Sequence, residues 1–193
     1  MKSVLISIQP KWCELIASCK KTIEVRKTAP KLQTPFTCYI YETKGKEKLL
    51  EVMYEGDECY GTVLKERVFV KGNHAGCGRV IGKFVCDKIE AYKYSTVDGV
   101  DIDDDILLET MLDWEEINTY AKGKPLYGWH ISDLKIYDKP KELGEFRSLP
   151  FKHCKMKFEK DKRCENGCVM NSKDCTYRKI VCPPQSWRYV EKA

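Results

Sequence analysis

Residues 18–28, SCKKTIEVRKT, gather side chains able to bind or move charge: Lys20, Lys21, Glu24, Arg26 and Lys27 surround the alternating run of residues 22–26. Alternate side chains of a strand share a face, so Thr22, Glu24 and Arg26 point one way while Ile23 and Val25 enter the core. Lys21 begins on the Ile23 side, but at a helix–strand junction, where alternation does not dictate direction. If the junction turns it inward, Lys21, Glu24 and Arg26 surround one polar spot. Arginine grips a phosphate or carboxylate with two donors, and a carboxylate accepts from the exocyclic amine of a base. A desolvated lysine neutralises a phosphate or takes up a proton. From spacing alone the plainer reading is a Glu24–Arg26 surface pair beside solvated lysines.

Cysteine supplies a second chemistry. Eleven are present; six are scattered through the first half, and five crowd the last 40 residues: Cys154, Cys164, Cys168, Cys175 and Cys182. An odd total without a secretion signal argues for free thiols over a disulfide framework. Cys164 and Cys168 enclose Asn166-Gly167, a tight turn at metal-ligand spacing. With Cys154 and Cys175 they make a four-thiolate structural zinc site, His153 and Cys182 standing in reserve. Metal binding would order a Lys-rich segment that has few large aliphatics for a core. An iron–sulfur cluster uses the same residue types and ranks below zinc; free thiols in a loop are the bland alternative.

Several elements must position these residues. Val4, Ile6 and Ile8 alternate as a strand, and Pro10 then opens a helix with Trp12, Leu15, Ile16 and Cys19 on one stripe. Strands follow at TIEVRK, TCYIYET, RVFVKG and GRVIGKFVCDKIEAYKY. Two helices lie at DDDILLETML and DWEEINTYAKGK, the second with Asp113 at capping-box spacing to Glu116. A strand at LYGWHISDLKIYDKPKEL places Trp129 and His130 after Gly128, where a ligand can approach closely. Gln185, Ser186 and Trp187 follow the rigid Pro183-Pro184 turn and either form a rim of the cleft or tie the last strand down. Trp12, Tyr39, Tyr41, Tyr127, Trp129 and Trp187 are candidates to stack a base. The pattern is α+β, a small, mostly antiparallel β-barrel flanked by helices, with no regular βαβ succession and no Gly-rich nucleotide loop. Residues 1–193 read as one domain, with 152–179 a Cys-rich basic insertion.

The net charge of +5 is uneven. Residues 151–193 hold 11 Lys and Arg against 5 acids, whereas residues 98–116 hold 9 acids and no base. Such separation favours a basic face that meets phosphates. No apolar run approaches the length of a membrane span, so a cytoplasmic protein is expected.

The segment SIQPKWCELIASCKKTIEVRK resembles the opening of ASCH domains of the PUA-like superfamily, whose motif is G-x-K-x-x-E-x-R. Lys21, Glu24 and Arg26 match, while Cys19 stands where the family has Gly. VIGKFVCDKIEAY, YGWHISDLKIYD and PPQSWRYVE resemble the subgroup found in bacteria and their phages. The resemblance covers most of residues 1–150 and resumes near 180. It implies a small β-barrel whose cleft binds RNA or a modified nucleobase, with Lys21, Glu24, Arg26, Trp12, Trp129, Gln185 and Trp187 as ligand-binding residues. Some members are amidohydrolases that deacetylate N4-acetylcytidine nucleosides through K-T-x-T-x-R. Lys21 matches their catalytic Lys and Thr22 their non-nucleophilic Thr, but Glu24 occupies the nucleophile position, which a carboxylate does not fill by the same mechanism. Ribonuclease activity is the other catalytic option in the family. An enzyme here would rely on Lys21 and Glu24, with His130 a further acid–base candidate. A protein-interaction module, phage-encoded, is the third reading.

Overall fold

The computed structural model describes residues 2–44, 48–59, 62–72, 76–149 and 178–191. Cys154, Cys164, Cys168, Cys175 and His153 lie outside the described residues, as does nearly all of the 152–179 insertion. Cys182 is described; it is exposed and its thiol is free.

The chain opens with β1 (Lys2–Ile8), α1 (Pro10–Ala17), β2 (Ile23–Arg26) and β3 (Phe36–Glu42). A hairpin of β4 (Lys48–Cys59) and β5 (Thr62–Gly72) follows, and then the long β6 (Val80–Tyr92). The short pair β7 (Tyr94–Ser95) and β8 (Gly99–Val100) leads to α2 (Asp104–Thr110) and α3 (Trp114–Ala121). The long β9 (Leu126–Lys141), a 3-10 turn (Leu143–Glu145) and β10 (Trp187–Glu191) complete it. The main sheet has six strands in the order β10-β1-β3-β6-β9-β2. Only the β1–β3 pair is parallel, because α1 and β2 form the crossover between them. Both β1 and β3 are buried along nearly their whole length, which explains their almost continuous apolar sequence.

One core gathers Val4, Ile6, Ile8, Ile16, Phe36, Ile40, Phe84 and Trp129 on one face of the sheet beneath α1. A second lies on the opposite face around Leu5, Tyr39, Phe146 and Ile180. A third packs Val25, Tyr92 and Leu126 beneath Leu107 of α2 and Ile117 of α3. The stripe expected on α1 is shifted. Cys13 is buried with Leu15 and Ile16, whereas Cys19 is exposed. The helix ends at Ala17 and Cys19 takes a left-handed conformation, φ +57°, which turns it out of the stripe.

Among the described residues the expected barrel is not closed by backbone pairing, since β2 and β10 stand at the two edges of the sheet. Side chains bridge the gap instead. Arg26 at the end of β2 donates to the Ser7 carbonyl of β1 at 2.6 Å. The Trp187 indole N–H donates to Thr28 Oγ1 at 3.0 Å, and the Lys31 amide donates to the Tyr189 hydroxyl at 2.7 Å. β2 has only four residues and both its faces are covered, so it presents little free edge.

Candidate functional site

A cleft of about 1100 Å³ opens at this seam, between α1, β2, the end of α3 and the Pro183–Ser186 turn. Its floor is ionic and buried: Lys21, Glu24 and Arg26 are each less than a tenth exposed. Glu24 accepts from Arg26 at 2.9 Å and faces Lys21 at 3.6 Å. Local structure explains the arrangement. After the left-handed turn at Cys19, the Lys20 and Lys21 amides both bond the Leu15 carbonyl, which closes the end of α1. Lys21 is thereby turned inward, and its ammonium donates to the Thr110 carbonyl at the end of α2, 2.5 Å away. Thr22 goes the other way, to the exposed Glu109 carboxylate at 2.8 Å. The floor is therefore built on the junction and strand between α1 and the sheet seam.

Charges withdrawn from water need partners. Burial pushes the Lys21 pKa down, and Arg26 adds to that, while Glu24 holds it up. Arg26 is committed on several sides: one terminal nitrogen serves Ser7 and Glu24, and the other reaches Ser186 Oγ at 3.4 Å. Its Nε is buried and has no partner among the described residues. The guanidinium is thus a strut across the seam and does not present the open two-donor fork that the sequence suggested. Glu24, with two oxygens and one close partner on each side, keeps acceptor capacity toward the cleft.

Aromatic walls stand above this floor. The Lys21 ammonium lies 5.0 Å from the centre of a Trp12 ring, and the Lys11 ammonium lies 4.0 Å from it, itself paired with Glu116 at 3.2 Å. Tyr120 of α3 forms part of the lining, and the Lys27 ammonium sits 4.8 Å above its ring. Burial raises the Tyr120 pKa; Arg26 draws it down and Glu24 pushes it up. Exposed Lys122, in a left-handed conformation at the end of α3, adds a positive rim.

Of the residues singled out from sequence, Trp12, Lys21, Glu24, Arg26 and Gln185 line this one cleft. Trp129 does not: it is fully buried, packed edge-on against Phe36 at 6.0 Å and tilted toward Trp187 at 5.9 Å. It pairs with Glu24 across the β2–β9 ladder, but its large apolar ring is claimed by the core. His130, one residue on, faces the other side of the sheet and meets Glu90 at 2.9 Å, away from the cleft. Lys88 and His130 together hold the Glu90 carboxyl below its ordinary value. The space beside Gly128 is taken by the Tyr92 hydroxyl and not by a ligand approach, since a Cβ there would lie 2.0 Å from it. Trp187 stays outside the lining, tied to Thr28 and packed edge-on against Tyr189. Tyr39 and Tyr41 belong to the second core. Sequence reading missed Tyr120 and Lys122 as cleft residues, and named Lys27 only among the charges of its segment. Tyr120 is one turn from buried Ile117 on α3, a position flanking the apolar stripe, but nothing local says what that flank faces. Among the described residues no group of three His, Cys, Asp or Glu is placed to hold a metal.

This is an α+β protein with a mostly antiparallel sheet, few helices and a cleft floored by buried charges at the sheet seam. No family model matches the sequence, and no curated protein is similar to it in sequence. Solved structures do match. A serine-to-alanine variant of the ASCH protein of Zymomonas mobilis aligns over 98% of this chain and 89% of its own, with a TM-score of 0.55 and 17% identity. The ASCH structure from the same organism aligns over 73% of each chain with 19% identity and a TM-score of 0.47. A tyrosine-to-phenylalanine variant aligns over 74% of this chain and 77% of its own, at 18% and 0.46. The fold of this chain is the ASCH fold. No described helix is long and apolar enough to cross a membrane.

Proposed function

We propose that this chain is a cytoplasmic single-domain protein that binds RNA or a modified nucleobase in the cleft above Lys21, Glu24 and Arg26. The observation that carries the reading is the buried ionic floor beneath aromatic walls. A carboxylate with spare acceptor capacity suits the amine edge of a base, Trp12 and Tyr120 offer ring faces, and surrounding lysines suit phosphate. The test is RNA binding followed across salt concentration. Affinity that falls steeply with salt, without turnover, and that drops in Lys21→Ala and Glu24→Ala is the expected result. Unchanged binding in Lys21→Ala, Glu24→Ala and Arg26→Ala alike would remove the cleft from the function.

The lowered proton affinity of Lys21 supports a second reading, a hydrolase acting on an acylated nucleoside or on RNA. Lys21 would be the base and Glu24 the partner carboxylate. Turnover that disappears in Lys21→Ala while the variant remains folded would establish it. A zinc ion held by Cys154, Cys164, Cys168 and Cys175 belongs to the same proposal, as a structural brace for the basic insertion. Metal analysis of the purified chain under reducing conditions is expected to give one zinc per chain, and a value near zero rejects it.

A further inference from the structure

The cleft's charges divide into two sets with different freedom. The floor set is spent internally: Arg26 bonds Ser7, Glu24 and Ser186, and Lys21 bonds Thr110 and faces Glu24. The rim set is not. Lys27 and Lys122 are exposed, line the same cleft, and have no carboxylate partner among the described residues. Lys27 covers the Tyr120 ring at 4.8 Å.

That covering ammonium sets a condition on the ligand. A flat ring that stacks on Tyr120 must displace Lys27 from it, losing a contact of about 0.5–1 kcal/mol. A neutral ring leaves the displaced ammonium in water. A ring that carries an anion gives it a partner, with Lys122 alongside. The floor cations already serve Glu24 and the Ser7, Thr110 and Ser186 oxygens, whereas the rim lysines have no carboxylate partner among the described residues, so the anion belongs at the rim and the donor edge of the ring at Glu24.

We propose that the ligand is a phosphorylated nucleotide unit, its base stacked on Tyr120 with an amine edge toward Glu24, and its phosphate held by Lys27 and Lys122. Arg26 supplies no donor to that phosphate. The inference rests on the nucleic-acid reading above and narrows it.

The experiment is calorimetric titration of the full chain with each of the four ribonucleosides and its 5′-monophosphate, at low and high salt. The preferred monophosphate is expected to bind about tenfold more tightly than its nucleoside at low salt, the scale of two exposed ion pairs. The ratio shrinks at high salt and falls close to one in the double variant Lys27→Ala/Lys122→Ala. Tyr120→Leu weakens nucleoside and monophosphate together. Both lysines are exposed, so their loss does not threaten the fold. Equal affinities, or a phosphate advantage that survives the double variant, overturn the inference. So does RNA binding without measurable binding of any monomer, which leaves the broader reading standing. Failure of RNA and monomers alike removes both.

Discussion

Replacing Arg26 with Met tests whether the seam depends on one side chain. Methionine keeps much of the volume and removes every donor. Three contacts go: Ser7 O at 2.6 Å, Glu24 at 2.9 Å and Ser186 Oγ at 3.4 Å. The greater loss is indirect. Glu24 is 5% exposed and retains only Lys21, at 3.6 Å, as a counter-ion. Removing one member of a buried pair costs about 3–5 kcal/mol, because the remaining charge is left without compensation. That is a large part of the 5–15 kcal/mol by which such domains are typically stable. The double variant Glu24→Leu/Arg26→Met removes the carboxylate as well. The buried Lys21 ammonium then loses its counter-ion and keeps only the Thr110 carbonyl. The double variant is therefore expected to be less stable than the single. Urea unfolding with an unchanged m value measures both differences. An Arg26→Met midpoint equivalent to within about 0.5 kcal/mol of wild type, the ordinary surface range, would refute the strut. A double variant no less stable than the single would refute Glu24 as the buried counter-ion of Lys21.

Three further outcomes follow from the same geometry. Cys19→Gly is expected to stabilise by about 0.5–1 kcal/mol, since an exposed residue at φ +57° gives up left-handed strain for a smaller loss of chain entropy; a neutral or destabilising result in urea would show that the turn is not strained. Lys21 has a folded pKa below 10.5, so between those two values the unfolded chain binds the extra proton and rising pH stabilises the fold. Lys21→Met removes this contribution, so the wild-type stability measured against the variant should climb with pH toward 10.5 and level off above it; a flat difference would mean that burial does not shift the group. Gly128→Ala drives a methyl to 2.0 Å from the Tyr92 hydroxyl and should cost about 1–3 kcal/mol. Because that hydroxyl is buried without a hydrogen-bond partner, adding Tyr92→Phe should recover much of the loss, and no recovery would locate the clash elsewhere.

Much of the architecture was legible locally. Alternation in β1, Pro10 at the start of α1 and the Asp113–Glu116 capping box are instructions read by neighbours a few residues apart, and each appears as expected. The three charges Lys21, Glu24 and Arg26 were legible in the same way, close together in one segment. Their roles were not, because those depend on groups far away in sequence. Arg26 is a strut because the Ser7 carbonyl and Ser186 meet it across the seam, 19 and 160 residues away. Lys21 is buried because the last turn of α2 supplies the Thr110 carbonyl, 89 residues away. Trp129 and His130 illustrate the same division: alternation sends them to opposite faces, and only packing decides that one face is core and the other carries Glu90. Sequence by itself determined strand β1, the starts of α1 and α3 and the charged pattern of residues 21–26, because these are properties of short-range backbone geometry and side-chain periodicity. The tertiary structure decided which charges are spent in holding the sheet edges together and which remain free at the rim, because a buried ion's role is set by the partners that desolvation forces upon it.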